Sequence, residues 1–318
     1  MAALLNPVTP TANESTGGFL LRALSANGAN VRELLSLTRG STRRQILPED
    51  APLYEQLTGT PAEWFVRRIA HVRQGDHWPE IELFGTRWRD DWTLRGQYTQ
   101  VCPECLERSA VARVEWDLMG YTACPVHRKL LVDRCADCGR ALQPNRPAVD
   151  VCRCGAFLSR PDTPGQDADA GMLAWCQWLS KAVMGAIEGQ TRPEPLLASF
   201  DGLSIDGWYR LCICLGGGVR ALRGAHLNAA CPWLDTAAVH EILRQGLEAL
   251  RDVDAGRPLH IALGMGCGDS LAEQAVRGIT LEDRNAASGL RMRLRLPSRW
   301  RNAKHVLHRQ GDLFEGWA

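Results

Sequence analysis

Eight residues between positions 102 and 154 have the types and spacing of metal ligands: Cys102-Pro-Glu-Cys105, Cys124-Pro-Val-His127, Cys135-Ala-Asp-Cys138 and Cys152-Arg-Cys154-Gly155. Thiolate sulfur and imidazole nitrogen are the donors that Zn²⁺ takes four at a time in tetrahedral sites. A two-residue gap lets one tight turn aim both side chains at one ion, and a second turn completes the shell. The simplest pairing is local, with one zinc held by Cys102, Cys105, Cys124 and His127 and the other by Cys135, Cys138, Cys152 and Cys154. An interleaved pairing, with Cys135 and Cys138 completing the first site, satisfies the same spacing and stays open. Four protein ligands leave no open coordination position, so both ions are expected to be structural.

The other chemistry-bearing patterns are weaker. Cys102-Pro-x-Cys105 lacks the βαβ context of a redox motif. His305-x-x-His308 reads as part of a solvated basic segment. Residues 259–268, with Gly264, Gly266 and Gly268, resemble a strand entering a Gly-rich turn, but no Walker lysine exists anywhere in the chain, so no nucleotide site is inferred. Cys176, Cys212, Cys214, Cys231 and Cys267 have no matching partner pair and are expected to be small buried hydrophobes. With no catalytic constellation, the chain is read as a non-enzyme.

The elements that must position the ligands are mostly helical. Asn30 and Glu33 form a capping-box pattern opening a helix over 31–37 before Gly40, and Thr60, Pro61 and Glu63 repeat the signal for a helix over 61–72. On the latter, Phe65, Ile69 and Val72 fall at i, i+4 and i+7, leaving Arg67, Arg68 and Arg73 mostly off the core face. Together with 53–57 and Gly59 this looks like a helix-turn-helix that could present Arg67 and Arg68 to a phosphate backbone, although the residues alone favour an ordinary helical hairpin with a solvated basic face. Val114, Trp116 and Leu118 alternate over 111–118, as in the hairpin of a zinc ribbon. Beyond a polar linker at 161–169, helices are expected over 172–187, over 205–215 between Ser204 and Gly216, over 237–250 after Thr236, and from Ser270 with Glu273. Arg291, Arg293 and Arg295 alternate with Met292, Leu294 and Leu296, a strand with an arginine face. With Arg299 and Arg301 they form a second candidate nucleic-acid contact.

The bulk numbers set limits. A chain of 318 residues fits two or three domains, and 23% charged against 45% hydrophobic residues is ordinary for a globular protein. Twelve cysteines, seven of them between positions 102 and 154, suit a reducing compartment and metal better than disulfides. No apolar run is long enough to span a membrane and no basic region precedes the short one at 2–5, so a cytoplasmic location is expected. The formal charge of +1, offset further by zinc-bound thiolates, argues against coating nucleic acid by charge alone. Only 291–318, with 7 Lys and Arg against 2 Asp and Glu, is strongly basic.

The ligand frame and its surroundings, Cys102-Pro-Glu-Cys105-Leu106, Trp116-Asp117-Leu118, Cys124-Pro-Val-His127, Leu130-Leu131-Val132-Asp133, Cys135-Ala-Asp-Cys138-Gly139, Leu142 and Cys152-Arg-Cys154-Gly155, resemble the TniQ/TnsD family. So do Glu14-Ser15, Phe19-Leu20-Leu21-Arg22 and Ala26-Asn27-Gly28, although Thr16-Gly17-Gly18 departs from the usual start. The resemblance implies a transposition targeting adaptor. Its implied partners are an AAA+ ATPase regulator, target DNA or a CRISPR RNA-guided effector, the transposase indirectly, and a second copy of the chain; a zinc-ribbon transcription regulator is the competing reading. The expected architecture is mainly α with a small β zinc-ribbon module: a helix-turn-helix-like domain over 1–98, a tandem zinc-binding domain over 99–160, the linker, and a helical domain with a basic tail over 170–318.

Overall fold

A computed structural model describes residues 3–31, 33–34, 47–75, 78–89, 93–95, 98–159, 165–185, 200–217, 235–259, 263 and 265–297. Helix α1 (Thr16–Ser25) starts where Ser15 accepts the Gly18 N–H, and its buried face carries Phe19, Leu20, Ala23 and Leu24. Just ahead of it, Glu14 is fully buried and takes Arg22 Nε and Nη2 at 2.8 and 2.6 Å, a bidentate pair that fixes the chain entering the helix. The Asn30–Glu33 capping box forms with both reciprocal bonds. The rest of its helix, 35–40, lies outside the described residues.

Helix α2 (Ala51–Thr58) ends at Gly59 and leads into α3 (Ala62–Val66), which packs against it. Tyr54 and Phe65 join Phe19, Leu20, Leu57 and Ile69 in an N-terminal apolar cluster, with Trp64 stacked edge-on at its rim. The expected helix over 61–72 is therefore corrected: it stops at Val66, Thr60 does not cap it, and Val72 is 47% exposed on a strand. Pairing with a later strand outweighs the helical pattern over His71 and Val72.

Strands β1 (His71–Gln74), β2 (Pro79–Leu83) and β3 (Thr86–Trp88) form an antiparallel sheet in that order, with Val72 opposite Ile81 and Ile81 opposite Trp88. The β2–β3 turn places both Phe84 (φ 56°) and Gly85 (φ 74°) in the left-handed region, the two-residue hairpin geometry that follows strand twist. Glycine meets this at no cost, and Phe84 accepts it while its amide donates to Arg67 O.

Helix α4 (Pro103–Arg108) and the two-stranded hairpin β4 (Ala123–Cys124) and β5 (Lys129–Leu130) follow. The strand expected over 111–118 is corrected to a short 3₁₀ turn, Val114–Asp117, in which Val114, Glu115 and Trp116 are all buried. The turn is held from outside: Ser15 N–H donates to Ala112 O and Val114 N–H to Asn13 O, so the segment before α1 lies against it. Residues 165–168 run beside the hairpin, with Leu130 N–H donating to Gln166 O and Ala168 N–H to Arg128 O.

Five helices complete the described chain: α5 (Ala170–Val183, capped by Asp169), α6 (Ile205–Leu215), α7 (Thr236–Asp254), α8 (Met265–Arg277) and α9 (Leu281–Arg293). Ser204 caps α6 and Gly216 ends it, as expected, and Val239, Leu243, Leu247 and Leu250 line the buried face of α7. Two expectations are corrected here. Ser270 lies within α8, and the reciprocal capping box sits at Thr280 and Asp283. Arg291, Met292 and Arg293 end a helix, where basic side chains meet the negative end of the dipole, so no arginine-faced strand forms.

The second apolar cluster runs from the zinc-ligand region through the C-terminal helices, including Trp116, Leu118, Tyr121, Ala123, Trp175, Tyr209 and Leu243. Trp175 Nε1 donates to Gly120 O at 3.0 Å, pinning α5 to the approach to β4. Helices α6 and α7 approach so closely at Gly246 that a Cβ there would overlap the Cys212 carbonyl. No helix among the described residues is long and apolar enough to cross a membrane.

Candidate metal centres

The eight ligand candidates converge into two groups, Cys102, Cys105, Cys124 and His127, and Cys135, Cys138, Cys152 and Cys154, whose donor atoms lie within 4.8 Å of one another. In the first, Cys102 precedes α4 and Cys105 lies in its first turn, so the helix start itself aims both sulfurs. Cys124 ends β4 and His127 sits in the turn to β5, which Arg128 closes with φ 58° while its N–H donates to Cys124 O. In the second, Cys135 N–H donates to Arg140 O and Gly139 N–H to Cys135 O; Cys152 N–H donates to Ala156 O and Gly155 N–H to Cys152 O. Two such knuckles face each other.

The separations match a tetrahedron. Metal–sulfur bonds of about 2.3 Å and metal–nitrogen bonds of about 2.0 Å give sulfur–sulfur edges of about 3.8 Å and sulfur–nitrogen edges of about 3.5 Å. Cys105 and Cys124 sulfurs are 3.7 Å apart, and His127 Nδ1 lies 3.2, 3.4 and 3.5 Å from Cys102, Cys105 and Cys124. The second group shows 3.7 Å between Cys135 and Cys154 and 3.9 Å between Cys138 and Cys152. The first site would use imidazole Nδ1.

Close packing sets the donors' proton affinities against one another. Hydrogen bonding with Cys105 and Cys124, together with burial, pushes Cys102 far above the usual thiol range, while bonds from Cys102 and Cys105 hold Cys124 far below it. In the second group desolvation raises Cys152 to about 12, whereas the Ala156 N–H lowers the exposed Cys154 to about 7. Metal ligation would require every one of these thiols to give up its proton, so binding a cation would release protons from the raised members of each group.

The candidate nucleic-acid contacts separate in the fold. Arg67 is exposed at the end of α3. Arg68 is engaged inside the protein: its guanidinium lies 4.4 Å from the Trp64 ring centre, donates to Ala12 O at 2.9 Å, and has its pKa lowered by burial and then by Arg67. Arg73 pairs with Glu82 across the β1–β2 ladder at 2.7 Å. Arg291, Arg293 and Arg295 are exposed at the end of α9, far along the chain from Arg67. Arg299, Arg301, His305, His308 and Cys231 lie outside the described residues.

Residues 7–131 match the TniQ family model. That stretch, 125 of the 318 residues, is what the chain shares with the TniQ family. No curated protein matches the chain. The TniQ domain begins ahead of the Glu14–Arg22 pair and ends just past β5, so the first metal group falls wholly inside it and the second wholly outside. Such a domain implies a general role in transposition-associated target selection.

Outside the two metal groups a buried polar cluster forms that no spacing announced. Asp133 accepts the Thr236 N–H at the start of α7 and lies 2.9 Å from its hydroxyl. Arg95 Nη2 donates to the same hydroxyl, and Gln100 spans from it to the carbonyls of Leu118 and Tyr121. The visible signal was Asp133 itself, which ends the Leu130-Leu131-Val132-Asp133 run of the family resemblance. The cluster ties the end of the TniQ domain to the C-terminal helices.

Proposed function

We propose that this protein is a target-selection adaptor in DNA transposition, acting by binding and not by catalysis. It joins target recognition, through DNA or a CRISPR RNA-guided effector, to an AAA+ ATPase regulator and through that to the transposase. The observation that carries this reading is the TniQ match over 7–131, which ends on the first four-ligand group. Each group would hold one Zn²⁺, whose chemistry here is to cross-link chain segments through a closed shell. Around it the protein does the positioning: α4 and the β4–β5 hairpin hold one set of donors, and the two knuckles at 135–139 and 152–156 hold the other.

In this reading α2 and α3 act as a helix-turn-helix-like unit with Arg67 as its outward cation. Because Arg68 is occupied by Trp64 and Ala12 O and Arg73 makes a surface ion pair with Glu82, the reading favours docking on a protein or ribonucleoprotein partner over direct reading of duplex DNA. The test is a pull-down of the tagged, zinc-verified protein from cells expressing the neighbouring genes, with proteins and nucleic acids identified. Recovery of the ATPase or an RNA-guided effector supports the adaptor. Recovery of specific DNA alone moves the assignment to a site-binding protein or zinc-ribbon regulator, and recovery of none of these overturns it.

A further inference from the structure

We propose that Cys214 and Cys267, both outside the metal groups, form a redox-active dithiol that peroxide converts into a disulfide joining α6 to α8. Their sulfurs are 2.7 Å apart, closer than any sulfur pair measured within the two metal groups, where 3.7 to 3.9 Å leaves room for an ion between them. A pair this close has no space for a bridging metal, and a small approach brings it to bonding distance. Cys214 Sγ also lies 3.4 Å from Cys267 O, so the two residues meet along backbone and side chain alike. They are 53 positions apart in the sequence, and α6 packs directly on α8.

Neighbouring thiols do not compete for the role. Cys212 is two residues from Cys214 on the same helix, which turns it to a different face. Cys176 sits on α5 against the backbone of Thr122 and Ala123. Cys214 is 1% and Cys267 6% exposed, so the pair is shielded from large oxidants and from other protein thiols, and the oxidant named here is correspondingly the small molecule hydrogen peroxide.

The reaction balances with peroxide as the named oxidant. One thiol loses its proton and its sulfur attacks a peroxide oxygen; the O–O bond breaks, water leaves, and a sulfenic acid remains. The sulfur of the second thiol then attacks that sulfenic sulfur, the S–O bond breaks, a second water departs, and the S–S bond forms. Two thiols are oxidised by two electrons and one peroxide is reduced to two waters. The product clamps the α8–α9 hairpin to α6.

The experiment treats the full, zinc-loaded chain with one equivalent of hydrogen peroxide, follows released zinc with a chromogenic chelator, and maps peptides without reduction. The expected result is a Cys214–Cys267 linked peptide formed while zinc stays bound, retained in Cys212→Ala and absent in Cys267→Ala, with the oxidised wild type melting at higher temperature than the reduced. If zinc is released while Cys214 and Cys267 both remain alkylatable after unfolding, or if Cys267 is found linked to Cys212, the proposal is overturned. The wild-type peptide map decides even where Cys267→Ala does not fold.

Discussion

The side chain of Asp133 accepts the backbone N–H of Thr236, 103 residues away, at the first turn of α7. An anionic acceptor there satisfies a helix-start donor and faces the positive end of the helix dipole. Arg95 lies buried beside it, with its Nη1 3.8 Å from the carboxylate. Asp133→Ala leaves that cation short of an acceptor and should lower stability by about 3 kcal/mol. Urea unfolding at saturating zinc checks this, and a loss below about 0.5 kcal/mol would show the contact to be incidental.

Cys135→Ser removes one donor from the second group only. Bound zinc should fall from two equivalents to one, measured by elemental analysis, with the region of 131–158 losing protection from hydrogen exchange. The cluster around Phe19, Tyr54 and Phe65 shares no residue with that region and should keep its protection. Unchanged zinc content in this variant contradicts the ligand assignment.

Asp117 supplies a pH test. Desolvation raises its carboxyl from 3.8 to about 7, against the opposing pull of Arg146 and a hydrogen bond from Ser15. A raised folded-state pKa stabilises the protein where the group is protonated, and that contribution is lost as pH rises from the unfolded value through the folded one. From about pH 6 to about pH 8 the wild type should lose about 1.4 kcal/mol relative to Asp117→Asn. Parallel unfolding curves for the two proteins across that window would refute the shift.

Gly246→Ala places a methyl group on the Cys212 carbonyl where α6 and α7 cross. Backbone cannot rotate aside as a side chain can, so the helices must separate. A loss of about 2 kcal/mol is expected, seen as a lower melting temperature. The same substitution at Gly289, with nothing near its Cβ position, should be neutral or stabilising.

Arg67 and Arg68, adjacent in sequence, should respond oppositely. Arg68→Ala discards the stacking on Trp64 and the bond to Ala12 O and should cost about 1 to 2 kcal/mol. Arg67→Glu should leave stability within about 0.5 kcal/mol. If this face meets DNA, only the second variant reports on it cleanly: weaker binding with an unchanged melting temperature.

The parts legible in the sequence were those whose cause is local. Cys-x-x-Cys spacing is a property of one turn, and Ser204 with Gly216 brackets α6 by satisfying its own end groups. What escaped depends on partners far away. His71 and Val72 leave the helical pattern because Ile81 and Glu82 pair with them, and the alternating arginines at 291–295 are too short a run to separate a strand from a helix end. Glu14 and Arg22 were visible only as resemblance, and the fold shows why they go together: one carboxylate, fully buried, needs that guanidinium. For the Asp133–Thr236 contact the sequence offered Asp133, at the end of its family-like run, but nothing that named its partner 103 residues on.

The cluster that encloses Leu118, Tyr121 and Ala123 is finished by Trp175, Tyr209 and Leu243, all beyond the matched 7–131. The stretch that matches the family model is therefore smaller than the core it packs into. Transplanting residues 7–131 onto another protein would bare the wall beneath Gly120, where the Tyr209 ring now rests. Any recombination that exchanges the C-terminal half must bring an aromatic surface of matching shape to close that core.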